Sequence, residues 1–321
     1  MDSRSYLTTA STLLGLAIVF LGCADGRSPS GSEKRAIPGD TSQTFTEVTT
    51  AAGLDGFVHK TGAFGNKWFP ETMGSGGAFI DYNGDGWQDI ILVGGGTWPE
   101  YTDQTVQSLW LYRNNGDGTF TQVTRAAGLA DVSAYGFGVT AADYDNDGDQ
   151  DLFFSTLQEN MLFRNDDGVF SSVGEEAGIA DHASWSSSAL FFDANNDGWL
   201  DLYVGNYVKW SPETDIPCMV GGEKGYCTPE EYEGVPGRFY QNNGDGTFTD
   251  RTEEAGFLPS PGKTLGVAEF DYNRDGWTDL VVTNDLARDL LYENTGTGDF
   301  EEKGIYSGIA FDENGVYQGI A

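Results

Sequence analysis

From residue 77 onward the apolar positions fall in short runs separated by turns rich in Asp, Asn and Gly, and the rhythm repeats. Residues 77–80, 139–142, 189–192 and 267–270 form apolar stretches that run into an acidic loop. Residues 90–93, 152–154, 202–204 and 280–282 leave it as β-branched, leucine-rich or aromatic runs. A third run starts at Leu111, Leu162, Phe239 and Leu291 with Leu-Tyr-Arg or a variant of it. An Asn-Gly or Asp-Gly turn follows, which is the strongest short-range hairpin signal, and a fourth run of the Thr-Phe-Thr kind completes the unit. Four short antiparallel strands per unit make one propeller blade. The reading is therefore all-β: a β-propeller with four complete blades plus partial blade strands at both ends.

The loops make the repeat explicit. DYNGDGWQD starts at Asp81, DYDNDGDQD at Asp143, DANNDGWLD at Asp193 and DYNRDGWTD at Asp271. The starts are 62, 50 and 78 residues apart. Periods near 50 indicate propellers or solenoids, with insertions lengthening the other steps. A partial copy, FTEVTTAAGL, begins at Phe45. Its residues 45–49 match strand four of a blade, so in a full-length chain they are expected to close a ring with C-terminal strands; here they have at most one such strand for company. The repeats occupy residues 44–321, and Gly319-Ile320-Ala321 lie inside what reads as the first strand of a fifth blade.

Composition agrees with many short strands and excludes some functions. The chain has 321 residues, 39% hydrophobic, with 20 Phe, 15 Tyr, 8 Trp and 45 Gly. That is enough apolar material for a core and too much for an acidic disordered chain. The formal net charge of −33 repels phosphate backbones and argues against nucleic-acid partners.

The acidic loops read as calcium sites. Calcium takes six to eight oxygens, and alternate residues of a tight loop can turn their carboxylates inward together. Positions 1, 3 and 5 supply Asp81, Asn83 and Asp85; Asp143, Asp145 and Asp147; Asp193, Asn195 and Asp197; and Asp271, Asn273 and Asp275. Position 7 offers a backbone carbonyl at Trp87, Asp149, Trp199 and Trp277, and position 9 closes the shell with Asp89, Asp151, Asp201 and Asp279. An EF-hand needs a Glu at position 12 between helices; here position 12 is Leu92, Phe154, Val204 or Val282, and strands follow. Asp, Asn and Gly are also ordinary turn formers. Turn chemistry alone does not demand an Asp at position 9, on the edge of an apolar strand. About four structural Ca2+ ions are expected, bound tightest by the second loop, which has the most carboxylates. Magnesium fits less well, because it prefers fewer protein ligands and stricter octahedral geometry.

The N-terminus reads as an export signal. Residues 13–21 form an apolar run of nine, too short to span a bilayer but suited to a signal peptide. Leu21-Gly22-Cys23 resembles the lipobox of bacterial lipoproteins, which implies lipidation at Cys23. The reading is a signal peptide at 1–22, a flexible tether at 23–43, and a periplasmic, outer-membrane or cell-surface location with membrane contact only through that anchor. The remaining cysteines, Cys218 and Cys227, form an even pair, and an oxidising compartment favours a disulfide over two free thiols.

The phrases D-x-[DN]-x-D-G-x-x-D and L-Y-R-N-N-G-D-G-T-F-T-x-V-T resemble FG-GAP/VCBS repeats, which implies calcium-binding blades of integrin-α-like propellers. Residues 209–215 (KWSPETD), Pro217-Cys218, Tyr226-Cys227 and the phrase at 238–249 are similar to the cartilage-acidic-protein-like (ASPIC/UnbV) family. That resemblance implies an exported seven-bladed propeller followed by a UnbV region, so a longer chain is expected.

No catalytic motif stands out. The two histidines, His59 and His182, lie in no H-E-x-x-H pattern, and no G-x-S-x-G occurs. The expected function is a calcium-binding scaffold that recognises a protein or glycan; the alternative is an enzyme or accessory subunit acting on polysaccharide. The insertions at about 94–107 and 205–237 follow strand two and so project from the rim opposite the acidic loops. Their Trp98, Tyr101, Tyr207, Trp210, Tyr226 and Tyr232 have two readings: rings that only pack the insertions onto the blades, or an exposed ligand face on that rim.

Overall fold

The computed structural model describes residues 45–98, 106–179, 184–257, 262–312 and 314–316. The described residues from 47 onward form one compact unit. The signal peptide at 1–22, the tether with Cys23, Tyr101, His182 and the expected fifth-blade strand at 319–321 lie outside the described residues.

Four sheets of four antiparallel strands follow one another along the chain. The first contains β1 (Gly77–Ile80), β2 (Asp89–Val93), β3 (Leu109–Asn114) and β4 (Phe120–Gln122). The second contains β5 (Gly136–Ala142), β6 (Asp151–Thr156), β7 (Met161–Asp166) and β8 (Val169–Ser172). The third contains β9 (Ser186–Phe192) and β10 (Asp201–Asn206). The small hairpin of β11 (Met219–Val220) and β12 (Glu223–Lys224) then intervenes before β13 (Arg238–Asn242) and β14 (Phe248–Asp250) complete the sheet. The fourth contains β15 (Thr264–Phe270), β16 (Asp279–Asn284), β17 (Leu290–Asn294) and β18 (Phe300–Glu302), followed by a single helical turn, α1 (Gly304–Ser307).

Each sheet is ordered as a propeller blade, with strands in sequence and the first strands of successive sheets lying side by side. The second strands β6 and β10 are sandwiched on both faces, as their continuous apolar runs suggest, whereas β2 and β16 alternate buried and half-buried residues. All six residues of β6 and of β10 are buried. Neighbouring sheets share one core. Ile80, Ile91 and Leu109 pack with Leu152, Phe154 and Phe170; Phe153 and Leu162 pack with Leu202 and Tyr240; Tyr203 and Phe239 pack with Leu280 and Phe300.

A recurring clasp reinforces those interfaces. The N–H groups of Phe120, Phe170, Phe248 and Phe300 donate to the carbonyls of Ala52, Ala127, Ala177 and Ala255 in the preceding repeat phrase. The phrase that begins at Phe45 therefore supports the first sheet through Ala52. Residues 45–48 themselves form no strand, since no described strand offers them a ladder.

Candidate functional site: four acidic loops on one rim

Each acidic loop joins the first strand of a sheet to the second, so all four lie at corresponding ends of their sheets. The backbone takes left-handed φ at position 4 (Gly84, Asn146, Asn196 and Arg274, +56° to +66°) and at the position-6 glycine (+86° to +101°). The glycine was legible in the sequence. The turn at position 4 was not, since an Arg there carries no signal for positive φ.

The side chains wind the loop around its first aspartate. One carboxylate oxygen of Asp81, Asp143, Asp193 or Asp271 accepts the position-5 N–H at 3.0–3.1 Å, and the other accepts the glycine N–H at 2.8–3.1 Å. Asp85, Asp147, Asp197 and Asp275 each accept the N–H of position 7 at 2.9 Å. At position 3, Asn83, Asn195 and Asn273 donate Nδ2 to the position-5 carboxylate at 2.8–3.0 Å.

The closing aspartates lie deepest. Asp89, Asp151, Asp201 and Asp279 are at most 1% exposed. In each, Oδ2 accepts the N–H of position 2 and Oδ1 accepts the N–H of an asparagine in the third strand. Burial raises all four carboxyl pKa values, that of Asp151 to about 8 and that of Asp201 to about 7, while the backbone hydrogen bonds pull the other way. A cation beside them would favour the charged form.

The second loop differs where the sequence differs. Asp145 stands where the other loops have Asn, and its Oδ1 is buried without a hydrogen-bond partner. Asp143, Asp145 and Asp151 bring one carboxylate oxygen each within 4.8 Å of one another. Burial and then the charge of Asp147 raise the Asp145 pKa. Crowded hard oxygens with one acceptor unsatisfied suit a divalent cation of the calcium type. The position-7 indoles contribute packing: Trp87, Trp199 and Trp277 lie against Gly116, Gly244 and Gly296 of the 3–4 turn in the same sheet.

Of the two readings of the insertion aromatics, the exposed ligand face fails for four of the described rings, which pack inside. Trp98, Tyr207, Trp210 and Tyr232 are buried at 7%, 1%, 8% and 6% exposure, and of the described rings in this set Tyr226 alone, at 36%, reaches the surface. The reason is mutual packing between insertions. Trp98 meets Trp68 edge-on at 4.8 Å and Tyr135 at 4.6 Å; Phe69 stacks on Tyr232 at 4.8 Å. The buried carboxylate of Asp215 accepts Trp210 Nε1 at 2.9 Å and pairs with Lys224 Nζ at 2.8 Å. Cys218 and Cys227 form a disulfide with Cα atoms 5.2 Å apart, which clips the hairpin beside this cluster. Tyr226 donates its hydroxyl to Glu71 Oε2 at 3.0 Å, and Lys67 sits over its ring at 4.9 Å.

No curated protein matches the chain. Among solved structures, an Agrocybe aegerita lectin described as recognising non-reducing terminal N-acetylglucosamine matches 70% of this chain and 49% of its own, at 20% identity and a TM-score of 0.36. The V. cholerae biofilm matrix protein Bap1 matches 71% of this chain and 27% of its own, at 16% identity and a TM-score of 0.37. This chain thus spans half or less of those solved chains. The family model of the FG-GAP-like repeat matches residues 81–154, 145–204 and 232–282, which together exceed half of the sequence and contain all four acidic loops. With four sheets of one design joined by four loops of one design, the chain belongs to the FG-GAP-like repeat family.

Proposed function

We propose that this protein is an exported, calcium-stabilised β-propeller-like scaffold that recognises a glycan or a protein. The carrying observation is the set of four like loops, with their buried closing aspartates and the unsatisfied Asp145 Oδ1. Asp143, Asp145, Asp147 and Asp151 would hold the ion of the second loop, and the Asp and Asn residues at positions 1, 3, 5 and 9 those of the others. The ion supplies charge neutralisation; the chain itself supplies the closed loop and a dry floor at position 9. Export with a lipid anchor at Cys23 is part of the proposal, supported by the apolar run at 13–21 and the Cys218–Cys227 disulfide. Residues 209–215 together with that disulfide support placement among the cartilage-acidic-protein-like (ASPIC/UnbV) proteins. Among the described insertion aromatics, Tyr226 is the one that remains available to a ligand.

Calcium titration calorimetry tests the metal, with about four ions expected and about three in Asp147→Ala. No binding at millimolar calcium rejects the proposal. A glycan array followed by product analysis tests recognition: retained ligand supports a scaffold, and released product assigns the polysaccharide-acting enzyme instead.

A further inference from the structure

One continuous hydrogen-bonded relay joins the closing aspartates of all four loops. Asp89 Oδ2 accepts the Tyr82 N–H at 3.2 Å, and the Tyr82 carbonyl accepts Nδ2 of Asn165, from the next sheet, at 2.8 Å. The Asn165 N–H donates to Asp151 Oδ1 at 2.8 Å; Asp151 Oδ2 accepts the Tyr144 N–H at 3.1 Å; the Tyr144 carbonyl accepts Asn242 Nδ2 at 2.8 Å. The Asn242 N–H donates to Asp201 Oδ1 at 2.8 Å; Asp201 Oδ2 accepts the Ala194 N–H at 3.1 Å; the Ala194 carbonyl accepts Asn294 Nδ2 at 2.7 Å. Asn294 then donates its N–H to Asp279 Oδ1 at 2.8 Å.

The three asparagines are at most 4% exposed, so water does not compete for these bonds. Each also donates Nδ2 to the carbonyl just before its own closing aspartate, at Gln150, Leu200 or Thr278. One amide therefore touches two loops at once. Asn114 of the first sheet is the exception: among the described residues its amide reaches the Gln88 carbonyl of its own loop and no other loop. Each closing carboxylate oxygen has one lone pair engaged by an N–H and a second left for an ion. An ion that fixes the carboxylate thus fixes the asparagine bonded to it, and through that amide the position-2 residue of the preceding loop.

We propose that Asn165, Asn242 and Asn294 are positioning residues that couple calcium binding in neighbouring loops, so that filling one loop raises the affinity of the next. The proposal rests on the calcium reading above. Coupling between sites typically amounts to about 5–150-fold in affinity.

The test is calcium calorimetry on the intact chain and its variants, each checked for folding by circular dichroism. Asp193→Ala disables the third loop and is expected to weaken the remaining sites by about fivefold or more. In the Asn242→Ala background that penalty shrinks, because the bridge to the second loop is already gone. In the Asn114→Ala background it keeps its wild-type size. If Asn242→Ala does not fold, Asn242→Ser makes the same comparison, because a hydroxyl has one donor and cannot bond both loops at once. Independent sites in the wild type, or an undiminished penalty in the Asn242 variants, overturns the relay and leaves the calcium reading standing. A wild-type chain that binds no calcium overturns both.

Discussion

Phe170 donates its N–H to the Ala127 carbonyl at 3.0 Å, tying the last strand of the second sheet to the turn that follows the first. The next residue, Gly128, has φ +82°, and a Cβ there would stand 2.8 Å from the Phe170 carbonyl oxygen. Two separate costs forbid a side chain: the left-handed backbone and the close approach. Gly118 isolates the first, because its φ is +87° and nothing lies within 4 Å of its would-be Cβ. Gly118→Ala is expected to lose about 1 kcal/mol. Gly128→Ala is expected to lose more, about 2–3 kcal/mol, because the clasp must also open. Urea unfolding of the two variants measures the difference, and equal losses would show that the clasp tolerates a methyl group.

Removing calcium is expected to lower the melting temperature by many degrees. At tenfold saturation each site adds about 1.4 kcal/mol, so four independent sites add about 5–6 kcal/mol, comparable with the whole stability of a typical domain, about 5–15 kcal/mol. Chelation also leaves 13 carboxylates at the ligand positions of the four loops, several of them buried. Melting curves with calcium and with chelator should therefore separate widely; coincident curves would refute a stabilising ion.

The strands and loops were legible because their signals are local. An apolar run of four to six residues, an Asp-Asn-Gly loop and an Asn-Gly hairpin each fit within ten residues. The position-9 aspartates were legible as exceptions, being charges on the edge of an apolar strand. What the third-strand asparagines do was hidden: Asn165 and Asn242 precede Asp-Asp-Gly and Asn-Gly, where they look like turn formers, while their partners Tyr82 and Tyr144 lie 83 and 98 residues away. The fate of the insertion aromatics was hidden for the same reason. Nothing near Trp98 in sequence tells that Trp68 and Trp210 converge on it.

Glu71 gives the fold a pH dependence of known sign. It is buried, Oε1 has no hydrogen-bond partner, and burial is the main cause that raises its pKa above the usual 4.5. The charges and hydroxyls facing it are Lys67, Asp215, Tyr226 and Tyr135. A carboxyl whose folded pKa is raised binds its proton more tightly when folded. Its contribution is therefore fully present below pH 4.5 and is lost as the pH rises through the folded value. Glu71→Gln removes that loss while keeping an acceptor for the Tyr226 hydroxyl. Relative to wild type at constant saturating calcium, the variant should gain melting temperature as the pH goes from 4 to 7.5. A gap that does not change with pH would show that Glu71 does not titrate in this range.

The disulfide loop and the aromatic cluster should fail together. Closing a loop of about ten residues contributes about 2–3 kcal/mol in chain entropy. Reduction should cost that much, and it should also loosen the seat of Tyr226 on Glu71 and of Asp215 on Trp210. Trp98→Ala should be costlier still, about 3–5 kcal/mol, because the indole is buried among Trp68, Tyr135 and Trp210. Tyr226→Ala removes a half-exposed ring and should cost much less. These losses separate core from ligand surface. If Trp98 were instead a binding residue, its alanine variant would keep the wild-type denaturation midpoint and lose only affinity for an identified partner. If it is core, the midpoint falls, and tryptophan emission in the native state shifts as the neighbouring indoles meet water. Measuring midpoint and emission for Trp98→Ala, Tyr226→Ala and the reduced wild type in one denaturation series decides between the two.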